Sequence, residues 1–97
     1  MIPLSFKDYQ KEVQDFPGAV ILFFTAIWAV PAIKTANFLL SSNLEIKIFS
    51  VDYDSERELV EKFSVRELPS IFFLRNGRTV GFAYEVTTEA ELATLIK

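Results

Sequence analysis

Hydrophobic residues recur along the chain in two periods, and the period changes at recognisable turn and cap signals. Val20 to Phe24 is a short, unbroken apolar run of β-branched and aromatic residues within Ala19–Thr25, the pattern of a buried strand. A second short apolar stretch, Glu45–Val51, follows a helical segment, which predicts a parallel crossover pair. Ser70–Arg75 and Arg78–Tyr84 flank Asn76-Gly77, the strongest short hairpin signal, so these two are expected to pair antiparallel. An extra short strand is possible at Ile2–Leu4. The helices announce themselves at their starts. Ser5 and Asp8 open a segment in which Phe6, Tyr9 and Val13 recur at helical spacing. Pro31 suits a first helical turn, where its missing N–H costs nothing, and Ile33 to Leu40 continue that helix. Ser55-Glu-Arg-Glu58 reads as a capping box before Leu59, Val60 and Phe63. Thr88-Glu-Ala-Glu91 reads as another before Leu92, Leu95 and Ile96. The resulting order is helix, strand, helix, strand, helix, hairpin, helix. It predicts an α/β domain over residues 1–97, with a mixed central sheet and helices on both faces.

Composition narrows the chemistry. The 97 residues contain no cysteine and no histidine, so thiolate nucleophiles, disulfides and the commonest general base and metal ligand are all excluded. No cofactor or metal is expected. A formal charge of −3 offers no attraction for nucleic acid or acidic membranes. Phe16 to Ile33 is an 18-residue stretch without a charge, about the minimum for a membrane span. Pro17, Gly18 and Pro31 interrupt it, and a central strand followed by a helix start explains it better. The opening Met-Ile-Pro-Leu-Ser has neither the basic region nor the apolar core of a signal peptide. A soluble, cytoplasmic-type protein is expected.

Over nearly its whole length the chain resembles the thioredoxin family. The most specific stretch is residues 51–81, VDYDSERELVEKFSVRELPSIFFLRNGRTVG. It is similar to the family's Val-Asp-x-Asp, helix, Val-Arg-x-x-Pro-Thr, apolar strand and Lys-Asn-Gly turn. The resemblance implies a thioredoxin fold, with Pro69 as the cis-proline beside the active site. Trp28-Ala29-Val30-Pro31-Ala32 then falls where the family's Trp-Cys-x-Pro-Cys motif lies. The departures from the family pattern are as informative as the likeness. Ala29 and Ala32 stand at the positions of the two redox cysteines. Phe23 stands where the buried acid assists proton transfer, and Ser50 where its lysine neighbour sits. Glu85 replaces the glycine that lines the substrate groove, and Asn37 the proline that kinks the second helix. A protein-disulfide oxidoreductase parent is implied, and no catalytic residue remains.

Other readings of single residues are plainer. Trp28 is read as a half-buried aromatic at the core edge, with the groove role as its alternative, and Pro69 as a fold determinant. Asp52 and Asp54 resemble a carboxylate pair, but capping or solvation suits them better at a strand end. Glu56, Glu58, Glu61, Arg57 and Lys62 read as a solvated helix face. The expectation is a redox-inactive domain designed or heavily engineered on a thioredoxin backbone. The alternatives are a silenced Cys-to-Ala oxidoreductase and a cysteine-less module gripping extended peptides through Trp28, Val30, Pro31 and Pro69. Apolar Ile27, Trp28, Val30 and Ile33 at an exposed helix start would also favour weak self-association.

Overall fold

A computed structural model describes all 97 residues. The first strand is β1, Ile2–Pro3, and the first helix α1, Phe6–Tyr9, which runs on as a π-helical turn, Gln10–Gln14. Then come β2 (Ala19–Thr25), α2 (Ala32–Ser41), β3 (Lys47–Asp52), α3 (Arg57–Lys62), β4 (Ser70–Arg75), β5 (Arg78–Ala83) and α4 (Glu89–Leu95). The five strands lie in the order β1-β3-β2-β4-β5. β3 is parallel to both β1 and β2, and β4 is antiparallel to β2 and β5. This is the mixed sheet that the chain's pattern predicts.

β2 is central and apolar on both faces because both faces are covered. Val20, Leu22 and Phe24 enter one core with Tyr9, Val13, Leu59 and Val60, beneath α1 and α3. Ile21 and Phe23 enter the other with Leu39, Leu92 and Leu95, beneath α2 and α4. The β4–β5 turn uses Asn76 at φ 53° and Gly77 at φ 80°, the left-handed pair of the tightest hairpins. Asn76 also fastens the turn to the start of β2. Its side-chain oxygen accepts from the Gly18 N–H at 2.8 Å, and its own N–H donates to the Gly18 carbonyl at 2.8 Å.

The helix starts differ from the expected boxes in instructive ways. At α4 the cap forms and the return bond shifts by one residue: the Glu91 N–H donates to the Thr88 hydroxyl at 3.1 Å, and the Glu91 carboxylate accepts from the N–H of Thr87, just before the cap, at 2.9 Å. The box expected at Ser55–Glu58 does not form. α3 begins at Arg57, and no side chain caps its N-terminus. The Ser55 N–H instead donates to the Asp52 carboxylate at 2.9 Å, so a turn at the end of β3 uses the donor first. Ser5 likewise binds only the Asp8 carboxylate, at 3.1 Å, and gives no side-chain cap to α1. Strand ends shift slightly from the sequence reading: β3 is Lys47–Asp52 rather than Glu45–Val51, β5 stops at Ala83, and β1 at Pro3.

Glu91 yields a pH prediction. The Thr87 backbone N–H, then the Thr87 hydroxyl, hold its carboxyl below the ordinary value. A carboxylate depressed in the folded state stabilises at neutral pH, and that contribution is lost as pH falls through the carboxylate range. Denaturant midpoints between pH 7 and pH 3 should therefore fall less steeply for Glu91→Gln than for the unsubstituted protein. Parallel curves would show that the cap carries no pH dependence.

Candidate functional site

The loop between β2 and α2 carries Trp28, Ala29, Val30 and Pro31, and α2 opens on Ala32. It is wound by its own backbone. The Ala29 N–H donates to the Ala26 carbonyl at 3.0 Å, Val30 to Trp28 at 3.1 Å, Ala32 to Ala29 at 3.0 Å and Ile33 to Val30 at 3.1 Å. Pro31 is the residue before the first turn of α2 rather than within it. Its missing N–H matters little there, since the surrounding donors close these tight turns.

This winding turns Ala29 and Ala32 inward, 5% and 2% exposed. Together with Phe23 and Ser50 they line an apolar cavity of about 280 Å³ that opens between Ile27, Ile33 and Leu40. Phe23 is 1% exposed, paired in the sheet with Ser50 on one side and Ile71 on the other. The cavity has no ionisable side chain among its lining residues. Its side chains offer no thiol, carboxyl, imidazole or ammonium group, only aliphatic groups, the Met1 thioether, a phenyl ring and two hydroxyls.

Trp28 points elsewhere. Its indole N–H donates to the Asp54 carboxylate at 2.8 Å, and its ring meets Tyr53 edge-on at 6.0 Å. It is 61% exposed, more than a residue covering the core edge would be. Asp54 is thus a tether for Trp28, a role its place at a strand end did not suggest. Pro31 and Pro69 do come together, with Glu67, Tyr84 and Glu85, around a depression of about 210 Å³. Pro69 follows a cis peptide bond, as the resemblance implied. Two exposed carboxylates, Glu67 and Glu85, rim this depression, which opposes an acidic peptide. Val30 lines neither hollow and stands 70% exposed.

Two features escaped the sequence. Thr35 is fully buried, and its hydroxyl accepts from the Val86 N–H at 3.2 Å, fixing the Glu85 loop against α2. A threonine among the apolar positions of α2 was the available signal. Glu56 was read as solvated, yet it accepts from the Phe6 N–H at 3.0 Å and so joins α3 to the start of α1. Arg57 and Lys62 also lie over the Tyr53 and Tyr9 rings. No group of three or more carboxylates is placed to hold a metal ion, and no helix is long and apolar enough to cross a membrane.

A thioredoxin family model matches residues 1–97. The chain belongs to the thioredoxin family. Thioredoxin H5 of rice (Oryza sativa subsp. japonica) is 33% identical over 73 residues, covering 72% of this chain and 54% of that protein. The match thus spans about half the length of this relative. Among solved structures, Trxlp of Edwardsiella tarda superposes with a TM-score of 0.82 at 19% identity, covering 98% of this chain and 97% of that one. Thioredoxin f2 of Chlamydomonas reinhardtii gives 0.83 at 16% identity, over 98% and 92%. At such identities these likenesses establish the thioredoxin fold. Within the family, this chain is a member with no cysteine at all.

Proposed function

We propose that this protein is a redox-inactive thioredoxin-fold domain that acts by contact rather than by thiol chemistry. The observation that carries this is the cavity of Ala29, Ala32, Phe23 and Ser50. By the resemblance it corresponds to the family's dithiol and proton relay, and its lining side chains include no thiol and no carboxyl or imidazole group. The test is the reduction of insulin by dithiothreitol, with contaminating thioredoxin excluded. The protein is expected to give the buffer rate, and reproducible acceleration would overturn the reading.

A contact role is supported by the surface around the same loop. Ile27, Trp28, Val30, Ile33 and Leu40 are 97%, 61%, 70%, 56% and 61% exposed. Ile27, Ile33 and Leu40 lie together at the mouth of the Ala29–Ala32 cavity, with Trp28 and Val30 on the same loop. A second copy of the chain or an uncharged extended peptide suits such a surface. Weak self-association is the expected result in sedimentation at high protein concentration, and Ile33→Lys should abolish it. A strict monomer, unchanged by Ile33→Lys, would leave the peptide as the remaining occupant.

Engineering on a thioredoxin backbone is the origin that accounts for Phe23, Ser50 and Glu85 differing together, because a packing criterion replaces a buried acid by a phenyl ring. The formed cap at Thr88 and the Asn76-Gly77 turn support it. The exposed apolar cluster and the uncapped start of α3 argue the other way, since a choice made for stability alone removes both. A domain that kept a binding surface after losing its sulfurs accounts for that cluster. A simple silencing of an active enzyme accounts for Ala29 and Ala32 but leaves Phe23 without a reason.

A further inference from the structure

The two faces of the sheet are not equally covered. On the face beneath α1 and α3, the core takes Phe72 and Leu74 of β4 but no residue of β5. The aromatic residues of β5 and just beyond it are left in the open. Phe82 lies directly opposite Phe72 in the hairpin, rings 4.9 Å apart, and meets Tyr84 edge-on at 4.8 Å. Behind them Phe63 lies 5.0 Å from Phe72. These four rings line an open hollow of about 360 Å³ together with Ser64, Val65, Arg66 and Ser70.

The loop that brings Arg66 there has its own cause. Ser64 adopts φ 54° and ends α3, the Val65 N–H donating to the Val60 carbonyl at 3.0 Å and the Ser64 N–H to Glu61 at 3.1 Å. That pair of bonds is the Schellman closure, and it turns the chain sharply so that residues 64–66 face the hairpin. Arg66 is the cavity's one charged lining residue. No acidic residue lines this hollow; Glu61 shares a neighbouring one with Arg66, and Glu67 another with Tyr84. Arg57 and Arg75 lie over the Tyr53 and Phe73 rings, whereas Arg66 is exposed and has no such partner.

We propose that this cavity binds a small planar aromatic carboxylate. The rings offer edges and faces against which another ring stacks or packs edge-on. A guanidinium beside them offers the paired N–H donors that match a carboxylate. The volume lies at the low end for small-molecule sites, enough for one ring with a short acidic arm. This site lies on the sheet face opposite the Ala29–Ala32 cavity, and it does not depend on the reading given for that cavity.

The probe is 4-hydroxyphenylacetate, titrated into the unsubstituted protein while backbone amide shifts are followed by NMR. Saturable shifts are expected at Ser64, Arg66, Phe82 and Tyr84, in the millimolar range. Two analogues separate the contributions: the neutral 2-(4-hydroxyphenyl)ethanol removes the charge, and cyclohexylacetate removes the planar ring. Each should bind roughly tenfold more weakly or worse. Arg66→Gln should weaken the acid to the level of the neutral alcohol and leave the alcohol unchanged. Arg66 is exposed, so this variant should keep its amide dispersion. Should it fail to fold, the comparison of acid with alcohol on the unsubstituted protein decides alone. Absence of saturable shifts at these four residues, shifts centred on Ile27 and Ile33, or equal affinity for acid and alcohol would each overturn the proposal.

Discussion

Phe23→Asp is expected to lower the stability of this protein by about 4–8 kcal/mol. Two effects add. Removing a fully buried phenyl ring costs about 3–5 kcal/mol in comparable cores through lost burial and the void left behind. The new carboxyl then sits in the middle of β2, beneath α2, with Ile21, Ile71 and Leu39 in the same core. A polar group buried without a partner adds about 1–3 kcal/mol by mutational data, and Ser50, opposite Phe23 in the sheet, offers one hydroxyl at most. Folded domains are stable by only about 5–15 kcal/mol, so this single change could consume most of the margin. Denaturant midpoints measured with an unchanged slope would report the loss. Phe23→Leu, which keeps an apolar side chain, should cost far less. If aspartate were tolerated within about 1 kcal/mol, a water-filled or proton-relaying site would lie at this position after all, and the view of Phe23 as a packing residue would fail.

Most of the architecture was legible because the chain marks it with strong local signals. β2 and β4 begin and end where their apolar runs do, and Asn76-Gly77 could form only a tight turn between strands. The failures share one cause, which is competition among nearby partners for the same backbone donor. Ser55 and Glu58 have the spacing of a capping box, but the Asp52 carboxylate reaches the Ser55 N–H first. The helix therefore starts one residue later, at Arg57. Spacing along the chain cannot rank such competitors. The candidate site divided in the same way. That Ala29 and Ala32 share one cavity with Phe23 and Ser50 followed from matching this chain to a family pattern. That Trp28 turns away to Asp54, and that Tyr84 belongs to two hollows at once, depends on where loops cross in space.

Restoring both sulfurs tests how far the supporting shell was lost with them. Ala29→Cys with Ala32→Cys should give a protein that forms a disulfide but reduces protein substrates poorly. Two opposing effects act on a thiol at position 29. The positive end of α2 favours the thiolate by about 0.3–1 kcal/mol, up to about 2 in partly buried geometry. Against it stands the setting: the residue is almost fully buried beside an apolar cavity, and desolvation raises a thiol's pKa. The nearby N–H groups of Ala29, Val30, Ala32 and Ile33 already serve backbone carbonyls, so few donors remain for a thiolate. Its pKa should therefore stay near the ordinary thiol value of about 8.5 instead of falling well below it. Proton transfer to the thiol at position 32 would also lack help, since Phe23 cannot relay, and general acid–base assistance is worth about 10²–10⁴-fold. Exposed Val30, together with Glu85 beside Pro31 and Pro69, would crowd or repel an incoming chain. The measurements are the pH dependence of thiol alkylation and the rate of insulin reduction, with Phe23→Asp added as a third change. The triple variant should recover part of the rate while losing stability. A double variant as fast as an ordinary thioredoxin would mean that Phe23, Val30 and Glu85 are no obstacle, and silencing of an active enzyme would then be the better account of this chain.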